Sequence, residues 1–147
     1  MHLNNDFREF LQFLNSNEVE YLIIGGYAVA VHGHPRYTKD IDIWIRPTQL
    51  NAKRLVKAID EFGFGSLGLS ADDFLSPDTI VQIGYPPRRI DLLTAPSGVE
   101  FEGCFARRFL VEVDGIHLSF IALHDLKSNK RASGRPQDLA DIDNLSH

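Results

Sequence analysis

Residues 21–46, YLIIGGYAVAVHGHPRYTKDIDIWIR, constrain the fold of this chain more than any other stretch. The apolar run 21–24 reads as a buried strand. Gly25 and Gly26 turn it into a short helix of small residues over 27–31. After a polar loop a second strand begins with two acids, Asp40 and Asp42. Successive strand side chains alternate faces, so Asp40, Asp42 and Trp44 share one face while Ile41, Ile43 and Ile45 take the other. Two carboxylates side by side repel each other unless a cation lies between them. Hard divalent cations such as Mg2+ favour such oxygens, usually together with substrate phosphates. A helix opening at the glycine pair attracts anions. An anion cradle followed by a dicarboxylate seat outlines a nucleotide site.

The remaining chain reads as support for it. Phe7, Phe10, Leu11 and Leu14 fall on one stripe of a helix over 5–15. Thr48 is placed to cap a helix over 49–62, whose buried face carries Ala52, Leu55, Val56, Ile59 and Phe62 and which stops at Gly63 and Gly65. Residues 65–78 read as a connecting loop with one helical turn at 71–75. Residues 79–84 and 88–94 form a hairpin around Tyr85, Pro86 and Pro87, with Ile90 and Leu92 on one face and Asp91 on the other. A short helix covers 101–107. A second hairpin, 109–113 with 116–121, turns at Asp114-Gly115. Two helices end the chain: one over 123–132, and one after Gly134 with Pro136 in its first turn and Leu139, Ile142 and Leu145 inward. Strands alternate with helices early and pair as hairpins later, which predicts an α/β (α+β) domain with a mixed sheet flanked by helices and a C-terminal helical pair.

Asp91 lies in the middle of an apolar strand, where a carboxylate without a partner is costly. Joined to Asp40 and Asp42 it completes three acids from two strands, enough to hold two Mg2+ ions (or Mn2+) about 3.5–4 Å apart for in-line phosphoryl displacement. Asp40 and Asp42 chelate the ion on the triphosphate of an NTP. Asp91 helps hold the second ion and receives the proton of an acceptor hydroxyl, which attacks the α-phosphorus as pyrophosphate leaves. Arg36, Thr38 and Lys39 precede the acids and are candidates to touch phosphate or balance the carboxylates. Lys127, Lys130 and Arg131 share a helix face that can grip the β- and γ-phosphates. Arg135 and Asp138 pair in support. His32 and His34 lack partners at zinc-ligand spacing, and Trp44 reads as wall packing rather than a base stacker.

The order of these motifs, GG, then DID, then an isolated strand acid in RRID, resembles the nucleotidyltransferase superfamily of DNA polymerase beta type. More narrowly, residues 21–45 and the tail DLKSNKRASGRPQDLADIDNL are similar to its minimal prokaryotic branch, related to abortive-infection (AbiE-type) toxin–antitoxin nucleotidyltransferases. The resemblance implies that the helix opened by Gly25 and Gly26 holds the triphosphate and that Asp40, Asp42 and Asp91 are the catalytic metal ligands. It also places the family's distal lysine and aspartate at Lys130 and Asp138, with Lys127 competing for the lysine role. Many members carry Gly-Ser where this chain has Gly25-Gly26, so one phosphate-binding hydroxyl is missing here. A toxin–antitoxin or phage-defence setting follows, with a protein, an RNA end or a small molecule as acceptor and a cognate toxin or antitoxin as a further partner.

At 147 residues the chain suits one domain, 1–147. One cysteine, Cys104, allows no internal disulfide, and MHLNNDFREF lacks the order of a signal peptide, so a cytoplasmic location without membrane contact is expected. The net charge of −5 argues against broad nucleic-acid binding but leaves room for a local basic patch. A rival reading is a non-catalytic antitoxin that keeps the fold. Another is an aminoglycoside-type small-molecule transferase, although such enzymes normally carry an added acceptor domain for which this length leaves little room.

Overall fold

The structure is a computed structural model that describes residues 1–85 and 88–145. Helix α1 (Asn5–Ser16) begins at Asn4, whose side chain accepts from the Phe7 N–H at 2.9 Å, and buries Phe7, Phe10, Leu11 and Leu14. Phe10 has no exposed surface and meets Phe62 edge-on at 5.1 Å. Truncating such a ring to alanine costs about 3–5 kcal/mol. Strand β1 (Tyr21–Ile24) is buried throughout and passes straight into α2 (Gly25–Val31), which therefore starts on the glycines themselves rather than at Tyr27. Strand β2 (Ile41–Ile45) follows, then α3 (Gln49–Ile59).

The ladder continues with β3 (Ile80–Ile83), β4 (Ile90–Leu93), α4 (Phe101–Ala106), β5 (Phe109–Val113) and β6 (Ile116–Phe120). Helices α5 (Leu123–Ser133) and α6 (Pro136–Asn144) close the chain. The described strands form one sheet in the order β3-β4-β2-β1-β6-β5. Pairs β2–β4 and β1–β6 run parallel and the others antiparallel, so the sheet is mixed, as the alternation of helices and hairpins predicted. Asp114 and Gly115 both take left-handed conformations (φ 51 and φ 83), the geometry of a tight two-residue hairpin turn. The β3–β4 hairpin forms, but Pro86 and Pro87, expected in its turn, lie outside the described residues.

Three further expectations change. Thr48 stands at the α3 N-cap but its side chain makes no capping bond, and α3 ends at Ile59. Beyond it the chain widens into a looser turn over Asp60–Phe64, where Gly63 is left-handed. The largest change concerns α6. Leu139 is exposed, whereas Asp138 and Asp141 are buried with Leu145. Apolar periodicity misreads this helix because its inward face is held by ion pairs. On β2, Ile41, Ile43 and Ile45 are fully buried on one face. On the other, Trp44 is buried against Phe101 (5.1 Å, edge-on) and donates Nε1–H to the Thr94 carbonyl at 3.2 Å. Trp44 thus walls the acidic end of that face.

Candidate active site

Parallel pairing of β2 with β4 sets Asp42 directly opposite Asp91. Antiparallel pairing of β1 with β2 sets Asp42 opposite Ile24, so the chain turns into α2 right beside this carboxylate. Gly25 answers the crowding. It is left-handed (φ 68), and a Cβ there would stand 2.2 Å from Asp42 Oδ2, closer than any side chain tolerates. Asp40 lies one residue before β2. Its Oδ1 accepts the Arg89 backbone N–H at 2.9 Å, and its Oδ2 lies 3.2 Å from the Arg89 guanidinium.

Arg89 is the residue that sequence reasoning missed. Its Nε donates to Asp91 Oδ1 at 2.8 Å while its guanidinium also reaches Asp40, so one cation joins two of the three acids. The signal was present in RRID, where Arg89 and Asp91 are two apart in an extended segment and so share a face.

Asp42 carries the consequence of this crowding. Burial first, then the neighbouring Asp91 and Asp40 carboxylates, push its pKa up to about 7, and Lys130 pulls only weakly the other way. Three carboxylates gathered on one face, one of them reluctant to ionise, form a hard-oxygen donor set suited to a divalent cation. Among the described residues the side chains as they stand do not form a ready three-ligand group. Asp40 and Asp91 are instead turned onto Arg89. His32 and His34 take no part. His32 Nε2 sits 2.7 Å from the Ile121 carbonyl, and its ring packs on Phe109.

A second charged group closes the cleft opposite the acids. Lys130 on α5 is 4 % exposed and pairs with Asp138 at 3.2 Å and Asp141 at 2.9 Å, both on α6. Arg135 caps α6 and binds Asp138 at 2.8 Å, and Arg36 reaches Asp141 at 3.2 Å. Burial raises the pKa of both aspartates, but Arg135 and Lys130 outweigh it at Asp138, and Lys130, Gln137 and Arg36 outweigh it at Asp141. Both are held below the ordinary carboxylate value. The alternation Arg36, Asp141, Lys130, Asp138, Arg135 therefore ties the loop before Asp40 to both terminal helices.

Two adjoining cavities result. One, of about 390 Å³, is lined by Gly25, Asp42, Asp91, Asn129, Lys130 and Arg135. The other, of about 430 Å³, is lined by Gly26, Arg36, Thr38, Asp40, Asp42 and Asp91 among others. Lys127 is half-buried and lines neither, so of the two lysines it is Lys130 that faces the acids. Gly26 has its own reason to lack a side chain, since a Cβ there would lie 2.8 Å from Thr38 Oγ1 and 2.9 Å from Thr38 Cβ. Thr38 fills the space that a residue at position 26 would claim.

With this geometry in view, three comparisons bear on it. A family profile described as a nucleotidyltransferase of unknown function (DUF6036) matches residues 1–146. Among solved structures, the chain is similar in fold to a candidate nucleotidyltransferase from Thermotoga maritima, with a TM-score of 0.61 and 13% identity over 99% of this chain and 96% of that one. It is also similar to the lincosamide antibiotic adenylyltransferase LnuA with lincomycin bound, with a TM-score of 0.57 and 14% identity over 99% of this chain and 97% of that one. No sequence among the curated proteins matches the chain significantly.

Proposed function

The chain belongs to the DUF6036 nucleotidyltransferase family, and on that premise we propose that it transfers an NMP from an NTP to an acceptor hydroxyl in a Mg2+-dependent reaction. The observation that carries this reading is the cross-strand pair Asp42 and Asp91, with Asp40 beside it and Lys130 across the cleft. The acids fit a divalent cation by their chemistry and by the crowding at Asp42, whose pKa is raised by burial first and then by the Asp91 and Asp40 carboxylates. Asp40, Asp42 and Asp91 would hold it. Bound there, such a cation supplies neutralisation at the phosphates and a lowered pKa at the acceptor oxygen.

The protein's own groups do the rest. Lys130, fixed by two buried aspartates, presents its ammonium to the cleft without having to be ordered on binding, a saving in entropy for gripping the outer phosphates. Arg36, Thr38 and the backbone at Gly25 and Gly26 border the same cleft and orient the triphosphate. Asp91 accepts the proton of the attacking hydroxyl, and water is kept from that side of β2 by Trp44 and Phe101. Asp138 acts at one remove by holding Lys130 and Arg135. A place among AbiE-type systems, with a toxin–antitoxin or phage-defence role, belongs to the same proposal and rests on the motif resemblance alone.

A small-molecule acceptor is a second reading with an observation behind it. LnuA, an adenylyltransferase of a lincosamide antibiotic, aligns with this chain over nearly the full length of both, which supports a small-molecule acceptor held without an added acceptor domain. No described helix is long and apolar enough to cross a membrane. Incubation with α-labelled NTPs, Mg2+, total RNA and cell protein tests the proposal. Label should pass to one acceptor class with the wild type and not with Asp42→Ala. A pure binding partner would pass none.

A further inference from the structure

Beside the acids lies a third cavity, of about 420 Å³, that the proposed transfer leaves without a role. It shares the segment Arg36, Tyr37, Thr38 and Lys39 with the cleft at Asp40 and Asp42, so that segment is a wall common to the two cavities. We propose that this cavity is the acceptor site and that it takes the 3′-terminal nucleotide of a single-stranded nucleic acid. The proposal rests on the nucleotidyltransferase reading above and names its substrate class.

Charge argues for an anionic acceptor. The chain carries a net charge of −5, yet the cavity is lined by Arg36, Lys39 and Arg88 and by no carboxylate. Arg36 is already matched by Asp141. Lys39 and Arg88 are exposed and enter no ion pair among the described residues. Two unmatched cations in an acidic protein, at the mouth of a cavity free of acid, attract phosphate and repel the amine-rich acceptors that an aminoglycoside-type enzyme needs.

Aromatic placement argues for a nucleotide, and for a strand rather than a free monomer. Tyr27 and Tyr37 line the cavity, and Tyr37 is 77 % exposed. Tyr85, 84 % exposed, stands one turn from Arg88, whose N–H bonds its carbonyl at 3.2 Å. Tyrosine faces interleaved with cations are how proteins bind single strands without sequence readout: bases stack on the rings while phosphates run along the charges. The volume suits one nucleotide, which leaves Tyr85 outside it as a platform for the next base. In the reaction the terminal hydroxyl oxygen forms a bond to the α-phosphorus. The bond from the α-phosphorus to its bridging oxygen breaks, pyrophosphate leaves with that electron pair, and the hydroxyl proton passes to Asp91.

The test uses the full chain with 5′-labelled trinucleotides of RNA and of DNA, read by fluorescence anisotropy. NTP and Mg2+ binding is followed in parallel by calorimetry. Tyr37→Ala should weaken trinucleotide binding by about tenfold, and Arg88→Gln should make its salt dependence shallower by about 0.7, one phosphate contact. Arg88→Gln, a residue that lines this cavity and not the cleft at the acids, should bind NTP within twofold of the wild type (a control that also reports a folded protein), and wild-type transfer of labelled NMP should lengthen the trinucleotide. Lengthening of RNA, DNA or both supports the proposal and assigns the strand. Binding of a free nucleoside monophosphate as tightly as a trinucleotide, trinucleotide affinity indifferent to both variants, or label passing to protein or a small molecule instead overturns it. Absence of NTP binding in the wild type overturns the underlying transferase reading as well, whereas intact NTP binding without strand binding overturns this inference alone.

Discussion

Asp42 on β2 and Asp91 on β4 are cross-strand partners in a parallel ladder, so two carboxylates face each other across a few ångströms of buried sheet. The fold holds them there against their own repulsion, and burial first and that repulsion second raise the pKa of Asp42 to about 7. A carboxyl that binds its proton more tightly folded than unfolded favours the folded state at low pH. That advantage is lost as pH climbs from about 4 to about 7, and the loss is constant above.

Asp42→Asn removes this penalty. Without divalent ions the variant should be more stable than the wild type at pH 8, by on the order of 2 kcal/mol or about 5 °C in Tm. The difference should vanish below pH 4. Transfer activity should fall at least about a hundredfold. Thermal unfolding across pH in the presence of EDTA checks the first part. A wild type that stays equally stable from pH 5 to pH 8 would count against a strained acidic pair.

Arg89 bridges Asp40 and Asp91 and so competes with any cation for the same oxygens. Arg89→Gln should therefore lower the Tm of the metal-free protein and enlarge the rise in Tm on adding MgCl2, by about twofold or more, because a bound ion stabilises by its affinity for the folded state. Equal Mg2+-induced shifts in the two proteins would mean that the guanidinium and the ion do not share a seat.

Much of this was legible in the sequence. Buried β1, the glycine turn, the alternation that puts Asp40 and Asp42 on one face and the Asp114-Gly115 hairpin all depend on local geometry, which is written residue by residue. What was not legible came from contacts distant in the chain. Lys130 and Lys127 look equivalent on a helical wheel; only the packing of α6 against α5 buries Lys130 between Asp138 and Asp141. Leu139 was expected inside for the same reason, since apolar pattern cannot foresee an interior face built from ion pairs. Thr38 and Gly26 are twelve positions apart, and nothing in their spacing announces that one fills the other's space.

The buried network makes its own prediction. Lys130→Met leaves Asp138 and Asp141 facing each other without their shared cation, which should destabilise the fold by about 3–5 kcal/mol. Adding Asp138→Asn and Asp141→Asn should recover much of that stability while NTP binding stays lost. Both aspartates are held below the ordinary pKa, so their contribution in the wild type is present above about pH 4 and lost as pH falls through their folded values. Urea unfolding of the three proteins at pH 7 and pH 3 measures both effects. Destabilisation by Lys130→Met that is as large at pH 3 as at pH 7 would rule out ion pairing as its source.

Thr38 offers the sharpest test of how this site departs from the Gly-Ser pattern that many polymerase-beta-type transferases carry. A serine at position 26 would bring its Cβ within 2.8 Å of Thr38 Oγ1 and 2.9 Å of Thr38 Cβ. The backbone itself poses no obstacle there, because Gly26 is helical. The two positions therefore compete for one volume, which makes the Thr38 hydroxyl the candidate to stand in for the serine's. Gly26→Ser alone should disturb the cleft and weaken NTP binding. Thr38→Ala alone should weaken it about tenfold, as expected for one hydrogen bond to a charged group. Together they should restore affinity to within about threefold of the wild type, a strong coupling between two positions with little effect elsewhere. Calorimetric titration of the four proteins with NTP and Mg2+ decides the matter. If the double variant binds no better than Thr38→Ala, the threonine hydroxyl does not stand in for the serine, and its role is confined to the bond it gives the Asp40 carbonyl at 3.1 Å.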